Sequence, residues 1–513
     1  MKQMIARHPL LFVVLIAIAL RLPAVCFSKG YMASDDHFET IRTAFNWLRT
    51  TPIAEDGLRM WKHRPADEHA RFALYDLFLY GQMKLMVTFG IRSLDTMMYF
   101  IRAVHALMSL LSVWAAFATV RIVTRSEGWA MVAGLMVAGH FAMPFLSVRN
   151  LIEMVGGHLW AVTIYLFYKY QEVERKDTTI VLAGIFTGLA WMIRFPIALA
   201  VLPIPLILWF SQHDQSYRRA AIVYSATVGG MIALCGLADY FLTGSFGSTT
   251  INQLAGFFKR GEAMYNTIFL IYPAVLLAFF IPPFSLVAFS MIAARQMFRR
   301  HKLLILSCLS FLLLHSILTN RQERFMIPIV PVLMILLTLA LYHHYQSGGW
   351  FFRKRWLAGS VIGFTIVINF LLIGPFTFNY GHKGLVDPLV RLERMVDHVR
   401  VMFVSPDQSH IYPYNYGGLK PMRRGHIKKW DDLRQFIDKP STASEFDFFV
   451  LLPLGSEQVP AYVDSLTRRI GNLELVMHVG PSAIDYMLHK MNPKHNPTRE
   501  AWVYRKALVS SGK

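Results

Sequence analysis

Repeated apolar runs of about twenty residues constrain this chain more than any other feature of its sequence. A run of that length is what an α-helix needs to cross a bilayer. The chain has 513 residues, of which only 16% are charged, and a mean hydropathy of +0.39, which together indicate a polytopic membrane protein. About eleven spans are predicted, at roughly 9–27, 98–120, 129–147, 151–168, 179–194, 196–211, 220–241, 266–293, 303–319, 326–343 and 356–377.

Lys and Arg residues concentrate in alternate short loops between these runs. The positive-inside rule places such loops in the cytoplasm, and it places the long segment 28–97 and everything after residue 380 on the opposite side. The net charge of +20 is therefore explained by topology and by anionic lipid head groups, and no nucleic-acid partner is expected. The basic loops contain Arg121 and Arg125; Lys169, Arg175 and Lys176; Arg218 and Arg219; Arg295, Arg299, Arg300 and Lys302; and Arg353, Lys354 and Arg355.

Two regions outside the apolar runs have their own pattern. Residues 38–49 and 72–90 of the first external segment have helical apolar spacing, which predicts amphipathic helices along the membrane surface. After residue 380 the composition becomes that of a soluble α/β domain. We expect helices at 386–400 and 482–491 and strands at 401–405, 446–454, 473–479 and 501–505. The predicted domains are therefore 1–379, transmembrane and including the loop 28–97, and 380–513, extracytoplasmic.

Asp35 and Asp36 follow the first apolar run, where bilayer gives way to water. Two adjacent carboxylates are costly there unless they have a task, and a carboxylate at the mouth of a membrane cavity can take a proton from a hydroxyl group. The alternative is a pair of solvated loop acids that cap the following helix. Position alone leaves both interpretations open.

Several cations stand at the predicted outer ends of spans. Arg149 and Glu153 are four residues apart, so either an intrahelical ion pair or a functional site is expected. Arg194 closes the run GLAWMIRFP, where a long side chain could also simply extend to the interface. Arg321 and Arg324 share one tight turn, and two guanidinium groups there suit a phosphate at head-group level, including that of an ordinary phospholipid.

No nucleotide or metal fingerprint accompanies these residues. The chain has no Gly-rich phosphate loop, which argues against a nucleotide-linked donor. Cys26, Cys235 and Cys308 are far apart and have no metal-binding spacing. Any metal would therefore be held by carboxylates alone.

Taken together, these stretches resemble the GT-C membrane glycosyltransferases, specifically the lipid-phosphate-mannose-dependent mannosyltransferases of GPI-anchor and N-glycan assembly (glycosyltransferase family 22). The family's acidic pair is matched by Asp35 and Asp36 in ASDDHFE, and its arginine helix start is similar to SVRNLIEMVGGHLW. Its I-R-P pattern is approximated by IRFP. Its H-K-E-x-R-F-x-x-P turn is matched at Arg324, Phe325 and Pro328.

The resemblance implies an all-α GT-C membrane domain and an inverting sugar transfer. A sugar, mannose in this family, would pass from a polyprenyl-phosphate-linked donor to a hydroxyl of a glycan or glycolipid acceptor on the non-cytoplasmic face. It implies that Asp35 is the general base and that Asp36 orients the acceptor or Asp35. It also implies that Arg324, assisted by Arg321 or Arg194, receives the leaving phosphate. The implied substrate-binding residues are His37, Arg149, Glu153, Arg194, Arg321 and Arg324.

The resemblance implies neither a cofactor nor a metal, and its partners are the lipid-linked donor, the acceptor and membrane lipids. The chain has no N-x-S/T acceptor sequence, which favours a bacterial inner membrane with a periplasmic site over the endoplasmic reticulum. Two alternatives stay open. One is a transporter or flippase of lipid-linked sugars, although no internal repeat is visible. The other is a GT-C enzyme that moves a different sugar.

Overall fold

The computed structural model describes residues 7–32, 36–50, 73–211, 214–258, 270–317, 321–405, 412–427, 445–453, 456–491 and 500–507, together with the single residues 429 and 493. Most of these residues are helical. The chain divides into two compact units. Unit 1 comprises Met1–Val25, Thr51–Leu77 and Arg102–Gly374, and unit 2 comprises Cys26–Thr50, Phe78–Ile101 and Pro375–Lys513.

The α-helices before residue 378 are, in chain order, α1 (Pro9–Phe27), α2 (Arg42–Thr50), α3 (Leu74–Thr88), α4 (Leu94–Thr124), α5 (Glu127–Gly139), α6 (Met143–Val148), α7 (Ile152–Glu172), α8 (Asp177–Ile193), α9 (Ala198–Val201), α10 (Pro203–Ser211), α11 (Gln215–Thr243), α12 (Ser248–Phe258), α13 (Ile271–Phe279), α14 (Phe284–Ile292), α15 (Arg295–Ile317), α16 (Val330–Gln346), α17 (Trp350–Arg353) and α18 (Arg355–Thr377). A π-helix, Asp36–Ile41, precedes α2, and 3₁₀ segments Phe195–Ile197 and Glu323–Ile329 precede α9 and α16.

Six helical stretches in the described part of the chain are long and apolar enough to cross a membrane: α1, α4, α11, α15, Glu323–Gln346 and α18. The pair α13 and α14, bent by 119°, makes a seventh if it is one span. Pro282 and Pro283 lie at that break, where proline removes backbone donors and interrupts a helix. Of the remaining predicted spans, three fall on shorter or broken helices: α5 with α6, α8, and α9 with α10. The fourth falls on α7, a continuous helix of 21 residues that is not among these six.

A buried arginine ties four helices of unit 1 together. Arg21 of α1 is only 1% exposed, and its guanidinium donates to the Ser109 hydroxyl of α4 at 2.6 Å. It also donates to the carbonyls of Ala17 and Ala138 at 3.1 and 3.2 Å and to the Ser147 hydroxyl at 3.2 Å. A charge inside an apolar helix is expensive unless its donors are satisfied, so this network fixes α1 against α4, α5 and α6.

Glycines bring α8 and α11 into close contact in unit 1. Gly184 and Gly188 lie one helical turn apart on α8. A Cβ atom at Gly184 would lie 2.7 Å from the Cβ of Thr227, and one at Gly188 would lie 2.4 Å from the Cβ of Met231. Small residues at this spacing let two helices approach closely, which supplies packing that the hydrophobic effect does not provide in lipid.

Unit 2 is built on a five-stranded mixed sheet. Its elements in chain order are β1 (Lys29–Gly30), β2 (Tyr380–Gly381), α19 (Lys383–Met395), β3 (Val399–Val404), the 3₁₀ segment Tyr414–Gly417, β4 (Met422–Ile427), β5 (Phe448–Leu451), the 3₁₀ segment Ser456–Gln458, α20 (Val459–Ile470), β6 (Leu473–Val479), α21 (Ala483–Met491) and β7 (Ala501–Lys506). The sheet has the order β4-β3-β5-β7-β6, in which β3 is parallel to β4 and β5, and β7 is antiparallel to β5 and β6.

The core of this sheet follows from residue spacing. All four residues of β5 are buried, as expected of a central strand. On α20 the side chains of Val459, Tyr462, Leu466 and Ile470 recur every three or four residues, and they pack on the sheet. The small parallel pair β1 and β2, Lys29 with Tyr380 and Gly30 with Gly381, belongs to the same unit.

The structure confirms much of the predicted C-terminal pattern and corrects part of it. Strands occur at β3, β5, β6 and β7 and a helix at α21, as predicted. The predicted helix 386–400 is wrong at its end, because α19 stops at Met395 and residues 399–404 form β3. The predicted domains 1–379 and 380–513 stay a prediction. The stretches Cys26–Thr50 and Phe78–Ile101 belong to the same compact unit as the C-terminal sheet.

We predict that Gly188→Leu lowers the apparent melting temperature of the detergent-solubilised protein. Overpacking a tight contact costs about 1–3 kcal/mol, and the added side chain would overlap Met231. Gly230→Leu on α11 is the matched control, because a Cβ atom there meets nothing within 4 Å. Equal melting temperatures for the two variants would contradict the close packing of α8 and α11.

Candidate active site

The first turn of α7 carries a buried carboxylate that pairs with an arginine at the end of α8. Glu153 is fully buried, and the Oε1 atom lies 3.0 Å from Nη2 of Arg194, whose side chain is 13% exposed. Neither carboxylate oxygen has an aligned hydrogen bond in the described residues, so the contact is an ion pair with spare acceptor capacity. Glu153 also stands where the positive end of the helix dipole favours a negative charge.

The ring of Phe325 contacts both Arg194 of this ion pair and Arg324 of the turn RQERF. The guanidinium carbon of Arg194 lies 5.1 Å from the centre of the Phe325 ring, and that of Arg324 lies 5.5 Å from the same centre. Both distances suit a cation–π contact. The motifs IRFP and RQERF, which are about 130 residues apart in the sequence, are therefore brought to one place in unit 1.

The other predicted cations of unit 1 have identifiable partners. Arg324 donates from Nε to the Gln322 side-chain oxygen at 2.7 Å, and Arg321 donates from Nε to the Ser316 carbonyl at 2.9 Å. Both side chains are half-buried. Arg149 is buried, precedes α7, and lies 4.8 Å from the centre of the Phe145 ring. Arg194, Arg321 and Arg324 each carry a guanidinium group, whose five N–H donors suit an anion with several oxygens.

Two glycines of α7 make this convergence possible. A Cβ atom at Gly156 would lie 2.2 Å from Cδ1 of Ile197, and one at Gly157 would lie 2.8 Å from the carbonyl oxygen of Pro328. Adjacent glycines point in different directions on a helix, so α7 contacts both arginine-bearing segments at once. The pair Gly156–Gly157 was not among the predicted site residues. Consecutive glycines inside a helical pattern were the signal that could have identified it.

The acidic motif belongs to unit 2. Asp35 lies outside the described residues, and Asp36 is the first residue of the π-helix Asp36–Ile41. His37 is 1% exposed and stacks between Tyr31 and Tyr416, with ring centres 5.0 and 5.3 Å apart. The acid pair and the arginines thus fall in different units.

Two histidines in the apolar helices make hydrogen bonds inside the protein. His158 Nδ1 lies 3.0 Å from the Ser112 hydroxyl, and His315 Nδ1 lies 2.9 Å from the Phe311 carbonyl. Within the described ranges, no three His, Cys, Asp or Glu side chains come together as a metal site.

The architecture is that of a GT-C glycosyltransferase. It is similar to the crystal structures of ArnT from Cupriavidus metallidurans, with a TM-score of 0.59 for the protein bound to undecaprenyl phosphate and 0.58 for the apo state. Sequence identities are 12% and 10%, and the alignments cover 98% and 99% of this chain and 99% of each ArnT chain. At such identities the likeness establishes the fold alone. A comparison with curated protein sequences gives no match.

The family follows from the sequence. The sequence model of the Alg9-like mannosyltransferase family matches residues 12–402. The chain therefore belongs to the Alg9-like mannosyltransferase family, and it is an integral-membrane glycosyltransferase. The resemblance to glycosyltransferase family 22 is confirmed.

We predict that Glu153→Ala destabilises the protein by about 3–5 kcal/mol, because it leaves the buried charge of Arg194 without its counter-ion. The measurement is the apparent melting temperature in detergent. The double variant Glu153→Leu with Arg194→Leu should recover much of that loss, because it removes both charges. A double variant less stable than Glu153→Ala would contradict the coupling.

Proposed function

We propose that this glycosyltransferase takes mannose from a polyprenyl-phosphate-linked donor and transfers it, with inversion, to a hydroxyl of a glycan or glycolipid acceptor. The observation that carries the proposal is the convergence of Arg194 and Arg324 on the Phe325 ring. Membership of the Alg9-like mannosyltransferase family supports mannose as the sugar. The likeness in fold to ArnT, one structure of which is bound to undecaprenyl phosphate, supports a polyprenyl carrier.

The arginines suit a leaving group that gains charge as it departs. When the bond between C1 of the sugar and the phosphate oxygen breaks, its electron pair goes to the phosphate. Guanidinium groups fixed beforehand stabilise that charge more than mobile water does. Arg324 is the first candidate for this role, and Arg194 and Arg321 assist. Glu153 offsets part of the positive charge when the site is empty.

The attacking group is a hydroxyl of the acceptor. In the proposed reaction its proton passes to the carboxylate of Asp35, its oxygen bonds to C1 from the face opposite the phosphate, and the lipid phosphate departs. Asp36 orients the acceptor or Asp35. These roles rest on the match of the acidic pair to the family pattern.

The proposed reaction takes place on the non-cytoplasmic side. Five basic loops alternate along the chain with the segments that carry the acid pair, Arg194 and Arg324. In a bacterial cell the proposed site and the C-terminal domain would then face the periplasm, beside an inner membrane that supplies the carrier lipid.

We predict that purified protein in nanodiscs transfers mannose from polyprenyl-phosphate-mannose and ignores GDP-mannose. A lipid extract provides the acceptor, and the mannosylated product is measured by mass spectrometry. Arg324→Ala should bind undecaprenyl phosphate roughly 10- to 100-fold more weakly, because hydrogen bonds to charged groups contribute about 1.5–3 kcal/mol. Arg324→Lys should recover only part of that loss, since an ammonium group lacks the two-pronged contact.

Binding is measured as the rise in melting temperature with added undecaprenyl phosphate. Arg321→Ala should lose less affinity for undecaprenyl phosphate than Arg324→Ala, because only Arg324 matches the arginine of the family turn. Arg353→Ala, in a basic loop assigned to the cytoplasm, is the control and should bind normally. Transfer from GDP-mannose alone would refute the proposed donor, and equal losses for Arg324→Ala and Arg353→Ala would refute the phosphate site.

We predict that Asp35→Asn lowers the turnover number roughly 10²- to 10⁴-fold, the usual cost of removing a general base. Binding of undecaprenyl phosphate should stay as in the wild type, because the phosphate does not need that carboxylate. Asp36→Asn should keep measurable turnover with weaker use of the acceptor. Both variants are assayed together at saturating donor. Normal turnover of Asp35→Asn beside an inactive Asp36→Asn would exchange the two roles.

A further inference from the structure

Four aromatic rings in unit 2 form a stacked series that includes His37, the residue after Asp36. His382, Tyr31, His37 and Tyr416 follow one another in this series, with ring centres 4.3, 5.0 and 5.3 Å apart. The interplanar angles are 25°, 18° and 6°. Tyr31 and His37 stand on either side of the acid pair in the sequence, whereas His382 and Tyr416 come from the C-terminal part of the chain. Ring contacts with the C-terminal part of the chain are therefore made by one residue before the acid pair and one residue after it.

The described contacts of the His37 side chain are with aromatic rings. Both ring nitrogens are buried and have no hydrogen-bond partner among the described residues. Burial, reinforced by the charge of Arg42, lowers the pKa of His37 to about 3, so the imidazole is neutral at physiological pH. A neutral ring between two aromatic faces depends on the placement of those faces for its own position. Tyr416 supplies the face on the C-terminal side.

The acidic motif is anchored at both ends to the C-terminal part of unit 2. Before the motif, Gly30 pairs with Gly381, and Gly30 has φ +69° and no room for a Cβ atom, which would lie 1.8 Å from the Gly381 carbonyl oxygen. After the motif, Arg49 at the end of α2 donates from Nη2 to the carbonyls of Gly418 and Lys420 at 2.7 and 3.3 Å.

The segment that carries Tyr416 is itself firmly attached to its domain. The Lys420 ammonium donates to the carbonyls of Glu393 and Val396 at 2.7 and 3.1 Å, at the end of α19. Tyr412 and Tyr414 pack on Phe403 of β3, with ring centres 4.5 and 5.4 Å away. Tyr412, Tyr414 and Tyr416 thus all make ring contacts inside unit 2, and Tyr416 contacts His37.

We infer that Tyr416 is a positioning residue for the acid pair, so that the C-terminal domain is a working part of the site that deprotonates the acceptor. The family match ends at residue 402, before this segment. The inference rests on the proposed role of Asp35 and Asp36. It predicts that loss of the Tyr416 ring lowers turnover without weakening the binding of the lipid donor.

The test compares Tyr416→Leu, Tyr416→Phe and Arg49→Met in the full-length protein in nanodiscs. In Tyr416→Leu, amide hydrogen exchange of residues 37–41 should be roughly tenfold faster, and turnover should fall by roughly tenfold or more, with the KM for polyprenyl-phosphate-mannose within about twofold. Tyr416→Phe keeps the stacked ring and should recover most of both losses. Tyr486→Leu, at an exposed position of α21, should match the wild type.

Exchange in β5 reports whether the domain stays folded. If Tyr416→Leu unfolds the domain, Arg49→Met is the test variant instead. It should likewise show faster exchange of residues 37–41 and lower turnover, with KM for the donor unchanged. Wild-type exchange of residues 37–41 in both Tyr416→Leu and Arg49→Met would overturn the inference. So would faster exchange with wild-type turnover. If the wild type itself does not use the lipid donor, the proposed function fails, while the exchange measurement still decides whether Tyr416 holds His37.

Discussion

The ion pair between Glu153 and Arg194 is the interaction on which the arginine site depends. Two charges buried in an apolar bundle each lose several kcal/mol of hydration, and their attraction recovers that loss only when the geometry is fixed. Such an intact pair adds little net stability, whereas loss of one partner is strongly destabilising. The pair determines how α7 meets the end of α8, and so where Arg194 stands relative to Phe325.

Aromatic rings add to the compensation of arginine charge that the Glu153 carboxylate provides. Arg149 lies over Phe145, and Arg194 and Arg324 share Phe325. A ring face offsets part of a guanidinium charge without occupying its N–H donors with carboxylate oxygens. At Arg194 the Phe325 ring adds to the charge compensation that Glu153 supplies. The glycines of α7 have a related effect, since close backbone approach leaves no side chain between the two arginine segments.

Local patterns in the sequence predicted the helices, most of the C-terminal strands and the cations of the site, because hydropathy and charge record burial and sidedness. Partners distant in the sequence could not be predicted in this way. The i,i+4 spacing suggested Arg149 as the partner of Glu153, whereas the ion pair that the structure shows is with Arg194, on another helix. Nothing in the sequence around His37 indicates that Tyr416 stacks on it. The strand β4 was missed because MRRGHI is basic and lacks the apolar alternation of a strand.

The pairing of β1 with β2 limits how early the protein can complete its fold. Lys29 and Gly30 find their partners at Tyr380 and Gly381, about 350 residues later in the chain. At about 5–20 residues per second, roughly 20–70 s of synthesis separate the two strands. The ribosome therefore synthesises every predicted span before β1 can pair with β2. A truncated or stalled chain would carry the carboxylates without the strand that anchors them, so assembly itself delays the appearance of an active transferase.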